Sequence, residues 1–350
     1  MALLFSLIVT NGPTEAEGRL GQRPNVIILF ADDLGYSDIG CFGGEIETPH
    51  LDELAGNGIR LSQFYNTGRC CPARASLLTG LYPHQAGVGM MVYRNSRPGY
   101  QGFLNDRCTT FAEVLRDAGY QTMMTGKWHA GHVPASRPEV RGFDRFTGIY
   151  LHIDSYWKVL RNCGVYQDQE LLIPAAEEPV NPYRPTQEFY TTDFFTDAAL
   201  DYIDQAVEQP EKPFLLHLCY NAPHFPLEAP DELIQKYSGR YMAGWDELRR
   251  RKFRRMMKMG LLPERQRLPE VNRWTGQRDA NLPFNNMVDG DPLPLWKELS
   301  QSDQEELDFR RAIYAAQVDR MDQNIGRIIR RLKRHAILDN TLVLFFSDNG

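Results

Sequence analysis

Val26-Ile27-Ile28-Leu29-Phe30 is an unbroken apolar run, the pattern of a strand buried on both faces, and it predicts a strand over Asn25–Phe30. Pro213–Tyr220 and Thr341–Phe346 repeat the pattern, and Gln121–Thr125 is a shorter version. Pro223 lacks a ladder donor and is placed beyond the end of its strand. Between these runs the period changes to that of helices. Thr48-Pro49 opens a short helix through Ala55, ended by Gly56 and Gly58. Thr110-x-x-Glu113 is a capping box before a helix that closes at Gly119. Phe194–Gln205 reads as helix. Glu305–Leu332 is the longest helical pattern, with Val318, Met321, Ile325, Ile328, Ile329 and Leu332 on one core-facing side. Pro72 suits the first turn of a further helix, whose apolar side is Leu77, Leu78 and Leu81. The stretches 82–102, 134–190 and 260–300 read as loop.

Composition adds bounds. The 350 residues are 42% hydrophobic and 24% charged, with a net charge of −6. That is ordinary globular composition, long enough for one large α/β domain or two smaller ones. The mild acidity gives no whole-chain reason to expect nucleic-acid or membrane-surface binding. Six cysteines (41, 70, 71, 108, 163 and 219) are too few for a disulfide scaffold, and their spacing is not that of a zinc site. Leu3-Leu4-Phe5 and Leu7-Ile8-Val9 fit the apolar part of a short secretory leader over 1–22, though no positive leader precedes them and no clear cleavage site follows. No other stretch approaches the ~18 apolar residues of a membrane span. Trp245–Met259 is a basic helix. With Met256, Met257 and Met259 as a packing side, it reads as a solvated helix of an insertion at about 236–300.

Chemistry clusters where strands end. Asp32 and Asp33 follow the first strand directly, and adjacent carboxylates there need an offsetting positive charge. A hard divalent cation provides it; a helix N-cap with a solvated neighbour is the alternative. Cys70 stands at a helix N-terminus with Arg74 one turn on. The pair fits an oxyanion site, and equally a buried cysteine pair capping a core helix. Lys127 and His129 would share one face if the chain is extended there, suiting an anionic substrate. In isolation they would be an exposed lysine and a satisfied histidine. His224 follows the strand at 213–220, and Asp348 and Asn349 follow the last one. His84 reads as a surface or packing histidine, and His217 as one satisfied in the core. Four polar groups beyond four apolar strands match the rule that ligands of open α/β sheets bind past the strands' carboxyl ends.

Cys70-Cys71-Pro72-Ala73-Arg74 followed by Ser76-Leu77-Leu78-Thr79-Gly80 resembles the signature of the type I sulfatases. Asp32-Asp33-Leu34-Gly35, Gly126-Lys127-Trp128-His129, Ala222-Pro223-His224 and Ser347-Asp348-Asn349-Gly350 resemble the family's other motifs, in its order, from Arg23 to Gly350. Ala73 departs from the serine many members carry. The look is that of bacterial arylsulfatases of the alkaline phosphatase superfamily.

The resemblance implies an α/β fold with a mixed, mostly parallel central sheet and helices on both faces. The catalytic domain would span 23–350, with a smaller C-terminal subdomain and a further lysine expected beyond the last residue, so that the chain is expected to be a fragment. It further implies that a maturing, formylglycine-generating enzyme oxidises Cys70 to formylglycine. Asp32, Asp33, Asp348, Asn349 and an oxygen of the modified Cys70 would hold Ca²⁺ in preference to Mg²⁺. The hydrated aldehyde would attack sulfur, and Arg74 and Lys127 would neutralise charge. His129 would take the proton that releases sulfate, and His224 would bind the sulfate and protonate the leaving oxygen. The expected function is hydrolysis of aryl sulfates or sulfated carbohydrates by a periplasmic or secreted protein, with no nucleic-acid partner and no stable membrane anchor. The rivals are a phosphate or phosphonate ester hydrolase of the same superfamily and an inactive protein that binds sulfated ligands.

Overall fold

The computed structural model describes residues 23–93, 95–159, 164–174, 179–270 and 294–350. The expected leader over 1–22, Cys163 and part of the 236–300 insertion lie outside them. The strands are β1 (Asn25–Asp32), β2 (Gln121–Lys127), β3 (Arg145–Ile149), β4 (Val165–Gln167), β5 (Glu170–Ile173), β6 (Phe214–Pro223) and β7 (Thr341–Ser347). They form one sheet in the order β5-β4-β3-β2-β6-β1-β7. The pairs β1/β6, β1/β7, β2/β6 and β2/β3 are parallel, and β4 and β5 add an antiparallel margin. The expected mixed, mostly parallel sheet is what forms.

The helices are α1 (Pro49–Gly56), α2 (Cys70–Thr79), α3 (Phe111–Asp117), α4 (Thr191–Ala206), α5 (Asp231–Tyr237), α6 (Gly244–Lys258) and α7 (Gln301–Arg334). Alternate residues of the central strands feed two cores. Ile27, Leu29, Leu216 and Leu218 join Phe194 and Ile203 of α4 and Val318, Met321, Ile325 and Ile328 of α7 on one face. Ile28, Phe30, Leu215 and Cys219 join Cys71, Ala75 and Leu78 of α2 on the other. A strand covered on both faces must be apolar at every position, which is why β1 and β6 are unbroken hydrophobic runs. Thr110 makes the capping box with Glu113 (3.1 and 2.6 Å).

Several expectations need correction. Strands β3, β4 and β5 lie in the stretch read as loop. Residues 214–223 stay in the strand through Pro223, which pairs with Asp32 across an irregularity in β1. There β6 is leaving the regular ladder, so proline costs it little. Among the described residues β7 is last in the strand order and is mostly half-buried, with Leu342 half-exposed. Helix α2 buries Cys70 through Ala75 as well as the expected Leu78, with Leu77 and Leu81 packed half-buried against the same core. Gly126 in β2 has φ 98°, and a Cβ there would sit 1.8 Å from the Cys219 carbonyl oxygen. Glycine therefore lets β2 press against β6 just before Lys127.

Candidate active site

The carboxyl ends of β1, β2, β6 and β7 meet under the N-terminus of α2. Asp32 is the last residue of β1, and Asp33 follows with φ 62°. That left-handed turn directs the two carboxylates differently, so that Asp32 is buried and Asp33 half-exposed. Asp348, just past β7, is fully buried. One oxygen each of Asp32, Asp33 and Asp348 lies within 4.8 Å of the others. The Asp33 amide donates to Asp348 Oδ1 (3.1 Å), and Asn349 Nδ2 donates to Asp33 Oδ1.

Two buried cations serve this acidic group. Arg74 Nε and Nη2 both donate to Asp348 Oδ2 (3.1 and 2.9 Å), while Nη2 also lies 3.3 Å from Asp32 Oδ1. Its Nη1 donates to the Lys127 carbonyl (2.7 Å), and the guanidinium stands 5.0 Å over the Phe30 ring. Lys127 Nζ donates to Asp32 Oδ2 at 2.5 Å. Burial alone would raise the Asp32 carboxyl, but Lys127 and Arg74 outweigh it and hold Asp32 well below the usual carboxylate range. Asp348 goes the other way. Burial and the Asp32 charge push it well above that range, against the pull of Arg74.

The acidic group is still short of positive charge. Asp32 Oδ1 and Asn349 Oδ1 are buried without a hydrogen-bond partner. Asp32 Oδ1 is within ion-pair distance of Arg74 but outside hydrogen-bonding geometry. Oxygens from Asp32, Asp33, Asp348 and Asn349 are the donor chemistry of a hard divalent cation, and these residues fit one.

A second group lies beside the first. Cys70, Cys71 and His129 place one ligand atom each within 4.8 Å of one another. A hydrogen bond from Cys71 lowers the Cys70 thiol, against burial, with His129 and Lys127 adding to the effect. Cys70 thus stands with His129 and Cys71. Burial first, and Lys127 second, push His129 down to about 4, so its imidazole is neutral at neutral pH. Its Nδ1 has no partner. Lys127 and His129 do not share the face of one extended strand, because His129 has φ 51° and β2 has ended. They converge on Cys70 through that turn, which the amides of Trp128 and His129 fix by donating to Ile149 and Tyr150 carbonyls (2.9 and 3.1 Å).

His224 is half-buried at the rim, with Nε2 3.5 Å from Asp33 Oδ2. Sequence reasoning missed the group that holds it. Buried Tyr156 shares its hydroxyl between the carbonyls of Asn221 (2.9 Å) and His224 (2.8 Å). It also missed His152, whose ring stands 6.2 Å from that of His129. Both lie in the stretch read as loop, where no periodicity marks them. His217 is buried among Phe30, Phe111 and Phe143, with Nε2 3.0 Å from Cys219 Sγ. His84 bonds Tyr100 at the surface (3.0 Å).

The sulfatase family model matches residues 24–350. The chain belongs to the sulfatase family. The chain is 36% identical over 341 residues to an uncharacterised sulfatase of Schizosaccharomyces pombe, an alignment covering 94% of this chain and 58% of the relative. It is 34% identical over 353 residues to an arylsulfatase of Klebsiella aerogenes, covering 100% and 70%. The crystal structure of Ps i-CgsB in complex with k-i-k-neocarrahexaose superposes with a TM-score of 0.64 at 25% identity, covering 94% of this chain and 59% of that chain. The chain thus spans less than two thirds of the yeast relative and of that solved structure.

Proposed function

We propose that this chain hydrolyses sulfate esters, of aryl alcohols or of carbohydrates, through a formylglycine made from Cys70 beside a Ca²⁺ ion. The observation that carries the reading is the meeting of two groups on one rim: four oxygen-bearing side chains short of a cation, and a buried cysteine beside a neutral histidine and under the influence of Lys127. Kinship with arylsulfatases and a neighbour crystallised with a carbohydrate support the ester class. Asp32, Asp33, Asp348 and Asn349 would hold the cation, joined by an oxygen of the modified residue 70. Calcium would supply charge compensation for sulfate oxygens, and formylglycine an oxygen nucleophile that can be regenerated, which a thiol or a serine hydroxyl does not offer.

The chain's own residues divide the remaining work. Arg74 fixes Asp348 and the β2 terminus, and so holds the acidic group in place. Lys127 sits between Asp32 and Cys70, where it neutralises charge arriving with the substrate. His129, neutral and buried, accepts a proton at the imidazole nitrogen nearer residue 70. His224, held by Tyr156, is placed to donate a proton to the leaving oxygen at the rim. A maturing enzyme that oxidises Cys70 is a required partner of this reading.

Mass spectrometry of the peptide containing residue 70, from a host with such an enzyme, tests the modification. Loss of sulfur and gain of an aldehyde are expected. Nitrophenyl sulfate turnover is expected to need Ca²⁺, to exceed turnover of the matching phosphate ester, and to vanish in Cys70→Ala. An intact thiol, faster phosphate turnover, or activity retained in Cys70→Ala would each reject the proposal.

A further inference from the structure

Helix α6 has two basic stripes, and the body of the protein neutralises one of them. On the inner stripe Lys252 Nζ lies 2.8 Å from Asp38 Oδ1 and 3.4 Å from Glu45 Oε2. Arg255 Nε donates to the Gly43 carbonyl (2.8 Å). Asp38 also accepts from Arg311 (2.9 Å) and Tyr314 (2.7 Å), and its amide donates to the Gly35 carbonyl (3.0 Å). The helix is thereby pinned to the loop that begins at Asp33.

The outer stripe is different. Glu247, Arg250, Arg251, Arg254 and Lys258 recur at i, i+3, i+4, i+7 and i+11, which places them along one side for about 16 Å. Arg250, Arg251 and Arg254 all turn onto the single Glu247 carboxylate, at 3.0, 2.9 and 3.1 Å. Each of these arginines is more than half exposed. One negative charge therefore faces three guanidiniums, with exposed Lys258 beyond. Within positions 244–270 the basic residues outnumber the acidic nine to four, the acids being Asp246, Glu247, Glu264 and Glu270. The chain as a whole carries −6. Guanidiniums gathered at one point in an otherwise acidic molecule are a preformed site for a polyvalent anion bearing planar or tetrahedral oxyanion groups.

We propose that the outer stripe of α6 is a docking surface for sulfated polysaccharide, holding the polymer outside the active site while a sulfate ester enters it. The proposal rests on the sulfate-ester reading for its choice of polyanion and deepens it, by making the substrate a sulfated polymer. Each guanidinium binds a sulfate group in place of part of the Glu247 carboxylate. Sulfate groups further along the polymer pair with Lys258. Because the contacts are exposed, binding falls steeply with salt.

The test uses the full chain, two variants and a commercial sulfated galactan such as carrageenan. The triple variant Arg250→Gln/Arg251→Gln/Arg254→Gln should bind the polymer roughly tenfold more weakly at low ionic strength. Glu247→Gln should bind more tightly, because a competing carboxylate is gone; a stripe with a merely structural role predicts no gain. Both variants should turn over nitrophenyl sulfate as the parent does, while the triple variant shows a raised KM for the polymer at unchanged kcat. Unaltered polymer binding in both variants overturns the surface. Equal arginine-dependent binding of duplex DNA or of anionic phospholipid vesicles overturns the choice of a sulfated partner. Arginine-dependent polymer binding in a protein with no sulfate-ester turnover supports the surface while sinking the hydrolase reading. The two failures are therefore separable.

Discussion

Arg74 is the side chain whose loss the structure allows us to price. It is 2% exposed and makes two bonds to Asp348, one to the Lys127 carbonyl and an ion pair with Asp32. In Arg74→Ala the Asp348 carboxylate loses its only cationic partner within bonding distance among the described residues, while Lys127 still serves Asp32. Removing one member of a buried ion pair typically costs about 3–5 kcal/mol, and Asp348, already pushed up by burial and Asp32, must then take a proton or keep its charge in a poor solvent. A chain of 350 residues gains about 0.7 kcal/mol per degree of unfolding entropy at its midpoint, so the loss corresponds to roughly 5 °C in Tm. Thermal melts in a chelator should show that drop. Saturating Ca²⁺ should reduce it, because a cation beside Asp32 and Asp348 replaces part of the missing charge. Arg74→Lys should fall between the two, since one ammonium cannot reach Asp348, Asp32 and the Lys127 carbonyl together. A melt of Arg74→Ala within 1 °C of the parent in chelator, unmoved by Ca²⁺, would refute the account of how this acidic group is held.

Two further perturbations read neighbouring parts of the site. His129 has a folded-state pKa of about 4 against an ordinary 6.5, so the unfolded chain binds the proton more readily. Its contribution is complete above pH 6.5 and is lost as pH falls toward 4, for a total of about 3 kcal/mol. His129→Gln should flatten the stability profile across that window, and a slope equal to the parent's would show that His129 is not the group responsible. Tyr156→Phe leaves the Asn221 and His224 carbonyls without the phenol, at a cost of about 1–2 kcal/mol. Aryl sulfates with poor leaving groups should suffer more than those with good ones, because His224 is the proposed proton donor; equal losses for both would remove Tyr156 from any positioning role.

What the sequence discloses depends on how many neighbours decide a residue's place. Strands β1 and β6 and helix α7 are legible because burial on defined faces demands an apolar residue at each such position. Strand β3 is not, since Arg145-Phe146-Thr147-Gly148-Ile149 belongs to the sheet for reasons remote from it in sequence. A Cβ at Gly148 would sit 2.0 Å from the Gly126 carbonyl oxygen, and Thr147 bonds Tyr202 of α4 at 2.7 Å.

The same distinction runs through the site. That Asp32, Lys127, His224 and Asp348 follow strands is written locally, and their assembly on one rim follows from parallel pairing. Their partners are not written there. Lys127, expected beside the modified residue and the sulfate, spends its ammonium on Asp32, and His224 leans on Asp33. Those choices are set where β1 and β6 slip register between Phe30 and Asp32, and where Asp33 and His129 take left-handed turns. On the proposed reading a substrate sulfate would compete with Asp32 for Lys127, and a cation that takes up the Asp32 charge would free the lysine to meet it. Metal binding and anion binding at this rim would then be coupled through one ammonium group, with the same sign in both directions.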